Sequence, residues 1–373
     1  MDRQASAAAF PRRAMKNGKS VLPGYLEFFA GSGLVAYALK QNFTAIWAND
    51  ISEKKAAVYH ANHGKQHFHL GSIADIKGAS LPAAPLSWAS FPCQDLSLAG
   101  LIAGIDGKRS GLVWEWLRVM DEMTEMPEIL VAENVTGLMS VDGGSQYRML
   151  HAALRKRGYV VGAIQLDAVH WVPHSRPRVF VIAVKEALVI PAQLLTDGPT
   201  WLHPKAFVTA AKDLDGWLWW KLAAPEPRKI HLNDIIEWTA QCDDEEKSAR
   251  NIALIPDKHR KMLDHASVVA APGYKRTRAS KQVLELRFDG VAGCLRTPKG
   301  GSSRQFLVIK KNKKLLTRLL TVRETARLMG APESFQLPGS YNDGYMAMGD
   351  AVAAPCARFL AEFLLSPLLK VIA

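Results

Sequence analysis

The chain is poor in cysteine, with four in 373 residues: Cys93, Cys242, Cys294 and Cys356. They are widely spaced and form no CxxC pair, so neither a disulfide framework nor a paired zinc motif is expected, and no metal site is assigned. Acidic residues are also in short supply. Lys+Arg number 47 against Asp+Glu 35, a formal net charge of +12, which points to a polyanionic partner, most often nucleic acid. No apolar run approaches the ~20 residues of a membrane span. Residues 1–20 carry Arg3, Arg12, Arg13, Lys16 and Lys19 but no apolar core. They read as a basic tail, not a secretory signal. A reduced, cytoplasmic setting is the default reading. Internal repeats and low-complexity tracts are absent, and so is a full GxGxxG dinucleotide fingerprint.

What is present is an alternation of strands and helices. Strands are expected at 25–30, 44–49, 83–91, 128–132, 160–166 and 179–184. Helices are expected at 34–42, 53–63, 112–123 and 146–157. Such alternation implies an α/β fold with a mainly parallel sheet covered on both faces. It breaks near residue 185. Residues 187–317 are irregular and rich in Trp (Trp201, Trp217, Trp219, Trp220, Trp238), with basic clusters at 275–278 and 310–314. They read as a second, smaller domain. Helical patterning returns at 322–329 and 354–365.

Three stretches carry candidate chemistry. The turn Phe29-Ala30-Gly31-Ser32-Gly33-Leu34 follows a strand and opens a helix, and Asp50 ends the next strand seventeen residues after Gly33. Glycines there let a ligand approach the backbone, and an acidic group suits ribose hydroxyls. The missing third glycine suits an adenosine without pyrophosphate, such as S-adenosylmethionine. In the second stretch, Phe91-Pro92-Cys93-Gln94 ends a buried strand and opens a loop at 98–111. That is where an α/β protein would place a nucleophile. In the third, Glu133-Asn134-Val135 ends another strand and would share the crevice with Cys93. Arg176-Pro177-Arg178 begins a strand, so its approach to the crevice requires an antiparallel connection that the sequence does not reveal.

Together these residues resemble the cytosine-5 DNA methyltransferases. LEFFAGSGL is similar to the first cofactor motif, FPCQDLS to the nucleophile motif and ENV to the glutamate motif. VPHSRPR is similar to the QxRxR motif, and RLLTVRETARLMG and GDAVAAP to the last two. The resemblance implies a Rossmann-like class I methyltransferase fold. The catalytic domain would span 21–186 and 318–373, and the target-recognition domain 187–317. It implies transfer of a methyl group from S-adenosyl-L-methionine to C5 of a flipped cytosine through a covalent Cys93–C6 intermediate. Glu133 would hold N3 and supply a proton, Arg178 would bind O2 and orient Glu133, and Arg176 would support the loop or a phosphate. Phe28, Phe29, Ala30, Gly31, Ser32, Gly33, Leu34, Asp50, Ile51, Ser72, Ile73, Phe91, Pro92, Asp350 and Ala351 would line the cofactor. Gln94, Ser97, Arg109, Arg296, Lys299, Arg304 and Gln305 would contact DNA.

The partner implied is double-stranded DNA, with a cognate restriction endonuclease as a second, and a monomer working at the nucleoid. Ser72, His174 and Met329 depart from the family's usual residues, and Asp350 stands where Asn is usual. Two rivals stay open at this stage: an RNA cytosine methyltransferase of the same fold, disfavoured by the basic Trp-rich insert, and a silent DNA-binding protein, disfavoured by the Cys93, Glu133 and Arg178 set.

Overall fold

The computed structural model describes residues 22–92, 111–265, 268–296, 304–312 and 314–370, together with the backbone of 15–16 and 19–20, which pair as a short hairpin. The first half forms β1 (Gly24–Phe28), α1 (Leu34–Leu39), β2 (Thr44–Asp50), α2 (Glu53–His63), β3 (Phe68–Leu70) and β4 (Leu86–Ala89). It continues with α3 (Leu112–Glu122), β5 (Ile129–Val135), α4 (Ser145–Arg155), β6 (Tyr159–Asp167) and β7 (Pro177–Lys185). These seven strands make one sheet in the order β3-β2-β1-β4-β5-β7-β6. β1 to β5 pair in parallel, and β7 runs antiparallel to both of its neighbours, β5 and β6. This is the mainly parallel, doubly wound architecture expected.

The central strands alternate between two apolar layers because successive side chains leave opposite faces of a strand. Trp88, Ile129, Val131, Phe180 and Ile182 face one layer, shared with α1 and the C-terminal helices. Ala89, Leu130, Ala132, Val179 and Val181 face the other, filled by Trp116, Leu117 and Met120 of α3 and Tyr147 and Leu150 of α4. Trp88 and Trp116 are fully buried, and the Trp116 indole donates to Ser87 Oγ at 3.0 Å. A buried aromatic with its polar handle satisfied contributes packing without a desolvation cost.

The Trp-rich insert is placed differently from expectation. Two short strands, β8 (Leu195–Thr196) and β9 (Trp219–Trp220), pair with each other and lie along β6. Leu218 N donates to Val161 O at 3.0 Å, and Gln165 N donates to Leu202 O at 2.8 Å. β6 is the sheet's last strand, so its outer backbone groups need partners, and this ribbon supplies them. Trp217 and Trp220 therefore pack with the large sheet. α5 (Lys205–Ala211) buries Phe207 and Ala210 in the layer of α3 and α4.

A separate antiparallel sheet comes later. Its strands β10 (Ala270–Arg278), β11 (Lys281–Leu286), β12 (Gln305–Lys311) and β13 (Lys314–Leu319) run in the order β11-β10-β12-β13. α6 (Glu245–Ala253) and α7 (Asp257–Leu263) accompany it. β13 crosses the expected boundary at 317/318.

Then follow α8 (Val322–Leu328), α9 (Tyr341–Asp350) and α10 (Ala354–Leu360), the last continuing to Lys370 through a wider π turn. The stretch Tyr341–Lys370 is long and apolar enough to cross a membrane by length and composition, but 67% of its most apolar window is buried within this fold, as in a core helix. It packs into the same layer as α1. Arg318 ties β13 to α8 and to the segment at Glu237: Arg318 Nη1 donates to Glu324 Oε2 at 2.7 Å, and Nη2 donates to Glu237 O at 3.1 Å.

Candidate active site

The turn after β1 is shaped by its backbone. Phe29, Gly31 and Gly33 all have positive φ, at 58°, 56° and 84°. At Gly33 a side chain would meet His63 at 2.6 Å and Tyr59 at 2.9 Å, so both conformation and space require glycine there. His63 Nε2 donates to Gly33 O at 2.8 Å. Burial pushes the His63 imidazole down to about 4, so it stays neutral in this contact. Asp50 braces the turn from β2: Oδ2 accepts from Gly31 N at 2.9 Å and Oδ1 from Ser52 N at 2.8 Å. A carboxylate held by two backbone donors is fixed in direction, and each oxygen keeps a free lone pair.

Beside Asp50, Ile51 is 72% exposed, an apolar side chain left open at the mouth of the turn. Ile73 and Phe91 are buried with Phe28 in one cluster. Ser72 spends its hydroxyl on capping the turn at 73–75, accepting from Ala74 N at 3.2 Å. Asp75 is exposed.

The second group forms where β4, β5 and β7 meet. Ala89 pairs with Ala132, so Ser90 and Phe91 leave β4 alongside Glu133 and Asn134. Asn134 Nδ2 donates to Phe91 O at 3.0 Å and fixes the point where the chain leads into Cys93. Cys93 itself, with Gln94, Ser97, Arg109 and Lys299, lies outside the described residues. Because β7 is antiparallel, its first residues face the end of β5, and Arg178 pairs with Val135. This is the connection the sequence could not reveal. Arg178 Nε then lies 3.3 Å from Glu133 Oε1.

Glu133 is 7% exposed, and burial raises its carboxyl above the ordinary range. The nearby Arg178 and Arg176 charges and the Ser90 hydroxyl pull the other way without cancelling the rise. A glutamate in this state holds a proton more readily than an exposed one, as a general acid must. Ser90, whose Oγ also accepts from Trp88 Nε1 at 2.9 Å, was not singled out from the sequence, nor was Asn134 for its side-chain role.

Arg176 occupies a different position from Arg178. It is 1% exposed and spends its guanidinium on backbone carbonyls: Leu295 O at 3.0 Å, Gly349 O at 2.8 Å and Ala351 O at 2.7 Å. Burial lowers it to about 10, and it remains a cation at neutral pH. Of the roles expected for Arg176, support of a loop is the one these contacts fit, and they include neither Glu133 nor a free face for a phosphate. A buried guanidinium closed on carbonyls is a positioning residue, and it joins the segment after β11 to the end of α9. His174 assists: Leu295 N donates to its Nε2 at 3.2 Å, so Nδ1 carries the proton given to Leu328 O at 3.0 Å. Burial, reinforced by the Arg176 charge, holds that imidazole neutral.

One expected DNA contact, Gln305, is corrected by its burial, and a second, Arg304, is engaged within the fold. Gln305 is fully buried and Tyr345 OH accepts from its backbone N–H at 3.0 Å, so it cannot read a base edge. Arg304 Nη2 donates to Asn342 Oδ1 at 2.6 Å, with its guanidinium over the Tyr341 ring, docking β12 onto α9. Arg296 is exposed, directly after Leu295.

A sequence model of the family described as C-5 cytosine-specific DNA methylase matches residues 24–366. The chain belongs to that family. It falls in the DNA cytosine-5 methyltransferase enzyme class. Type II methyltransferase M.NlaX of Neisseria lactamica is 26% identical over 343 residues, covering 90% of this chain and 94% of its own. Type II methyltransferase M.HhaI of Haemophilus parahaemolyticus is 24% identical over 345 residues, covering 90% and 92%.

Among solved structures, S. pombe Dnmt2 methyltransferase superposes with a TM-score of 0.56 at 19% identity, covering 93% of this chain and 98% of its own. Entamoeba histolytica methyltransferase EhMeth gives 0.59 at 16%, covering 95% and 100%. These show the shared fold. Cytosine-5 methylases as a family generally use S-adenosylmethionine. The open glycine turn, the braced Asp50 carboxylate and the exposed Ile51 of this methylase fit an adenosine-bearing donor.

Proposed function

We propose that this methylase transfers a methyl group from S-adenosylmethionine to C5 of a cytosine extruded from duplex DNA, through a covalent bond from Cys93 to C6. The observation that carries the reading is the buried Glu133–Arg178 pair, set against the point where the chain runs into Cys93. The cofactor, when bound, supplies an electrophilic methyl group on sulfur. Asp50 and Ile51 would hold its ribose and adenine, with Phe28, Ile73 and Phe91 behind them.

Cytosine C5 is a weak nucleophile by itself. Addition of the Cys93 thiolate to C6, with a proton held at N3 by Glu133, leaves C5 with enamine character. Arg178 keeps the Glu133 carboxyl aimed and neutralises charge at the base edge. After transfer, the C5 hydrogen leaves as a proton, the C5–C6 double bond reforms and the thiolate is expelled. The base must leave the duplex first, at roughly a few kcal/mol, because its ring faces are stacked.

The antiparallel sheet β10–β13 with α6 and α7 is the unit proposed for target recognition, with the exposed Arg296 at its junction with the crevice. The net charge of +12 supports a nucleic-acid partner. The Trp content does not, since Trp217 and Trp220 serve the large sheet. The Type II names of the relatives suggest a cognate restriction endonuclease; work at the nucleoid, as a monomer, is part of the same proposal. Expression in cells lacking DNA methylation, followed by genome-wide mapping of 5-methylcytosine, tests the reading. One short modified sequence supports it. Methylation found only in RNA would transfer the activity to that substrate.

A further inference from the structure

Gln305 turns its side chain inward, onto the backbone that follows β11. Residues 292–295 lie outside the four strands of the antiparallel sheet, so their backbone groups need partners from elsewhere. These come from two sides. On the catalytic side, Ala292 N donates to Pro173 O at 2.8 Å and Ser175 N donates to Ala292 O at 2.9 Å, while Leu295 is held through both backbone groups by His174 and Arg176. On the side of the antiparallel sheet, the Gln305 amide donates to Gly293 O at 3.1 Å and accepts from Gly293 N at 2.8 Å. The same amide donates to the Tyr274 hydroxyl at 3.2 Å, which in turn donates to Cys294 O at 2.5 Å. The Tyr274 ring closes on Gly293, where an added side chain would meet it at 2.6 Å. The next residue along is Arg296, exposed and, among the described residues, without an ion-pair partner.

We infer that Gln305 and Tyr274 are positioning residues for DNA: they fix the backbone at 293–294 and thereby set where Arg296 stands at the crevice. This rests on the proposed contact of Arg296 with the target duplex. Gln305 is fully buried and Tyr274 half-buried, and a buried polar network with its donors and acceptors paired holds one geometry. A long exposed side chain cannot be aimed by packing, so its reach is set by the backbone that carries it. Fixing that backbone in advance lowers what must be ordered when DNA binds. Without the two side chains, 293–294 would be tied only through its neighbours Ala292 and Leu295, and only to the catalytic side. Gln305 itself touches no base. Its loss should therefore change affinity for the duplex and leave the methylated sequence the same.

The test is a double-variant cycle on the full chain, read as affinity for a duplex carrying the methylated sequence. Binding of S-adenosylhomocysteine serves as the control for an intact fold. Arg296→Ala should weaken the duplex on the order of tenfold, as expected for a lost charged hydrogen bond. Gln305→Leu should weaken it by at least about threefold, and Tyr274→Phe, which keeps the ring and removes only the hydroxyl, by at least about twofold, the range of lost neutral hydrogen bonds. Both should bind S-adenosylhomocysteine as the native chain does. In the Arg296→Ala background, Gln305→Leu should cost almost nothing further, because the two residues act as one unit. Equal losses in both backgrounds would overturn this inference alone, since Gln305 would then merely support the sheet. Unchanged duplex binding in Gln305→Leu and Tyr274→Phe would overturn it too, as would loss of S-adenosylhomocysteine binding in both. If Arg296→Ala itself left duplex binding unchanged, the proposed DNA contact would fall, and this inference with it.

Discussion

Glu27 gives a sharp quantitative handle on the nucleotide half. It lies on β1 just before the glycine turn, is 1% exposed, and accepts the Tyr25 hydroxyl at Oε2 at 2.8 Å. Burial pushes its carboxyl up to about 8 from an ordinary 4.5. The Tyr25 hydroxyl and the Ala36 amide pull it down, and the Asp50 charge adds to the rise. The unfolded chain releases this proton near the ordinary value and the folded chain only near 8, so between them the folded state binds more protons. Its contribution is complete below the unfolded value and is lost as pH rises through the folded one. At about 1.4 kcal/mol per tenfold change in proton affinity, the full loss is on the order of 5 kcal/mol. Glu27→Gln is neutral at every pH and should lack this component. Urea unfolding of both chains at about pH 5 and about pH 9 checks it. The two should be alike within about 1 kcal/mol at the lower pH, the worth of one neutral hydrogen bond. The variant should be clearly more stable at the higher. Equal losses in both chains would refute the buried-carboxyl account.

Other expectations follow from the same contacts. Glu133→Gln should fold and bind cofactor while losing roughly 10²–10⁴ in methylation rate, the usual contribution of a positioned general acid; single-turnover measurements would show it. Arg318→Met strands the fully buried Glu324 carboxylate, and should cost about 3–5 kcal/mol in chemical denaturation. DNA affinity should fall with salt at a log–log slope of about −0.9 per neutralised phosphate. Arg296→Ala should weaken binding, while the buried Gln305 should not alter site preference when replaced by Glu.

The elements of the large sheet were legible because each central strand alternates between two apolar layers and each helix carries one apolar stripe. α2 was expected at 53–63 and runs over Glu53–His63. The short edge strand Phe68–Leu70 and the helix Tyr341–Asp350 were missed. The first has only three residues, and the second has Gly344 and Gly349 within it. The reversal of β7 was not legible because strand direction is set by tertiary pairing rather than by pattern. Its consequence, bringing Arg178 to Glu133, could only be guessed from motif resemblance.

Tryptophan count alone could not separate roles, since Trp217 and Trp220 cover the edge strand while Trp201 and Trp238 stay exposed. Arg304 and Gln305 look like base readers in a glycine-rich stretch, and only the structure shows that Gln305 is buried and that Arg304 reaches Asn342 of α9.

The central claim is the covalent role of Cys93, and denaturing electrophoresis of a stalled complex tests it most directly. Release requires loss of the C5 hydrogen, which fluorine prevents. The chain, S-adenosylmethionine and a duplex bearing 5-fluorocytosine at the target should yield a shifted band. That band should vanish with Cys93→Ala and persist with Cys242→Ala, Cys294→Ala and Cys356→Ala. A band that survives Cys93→Ala, or one that is lost only with another cysteine, would contradict the account.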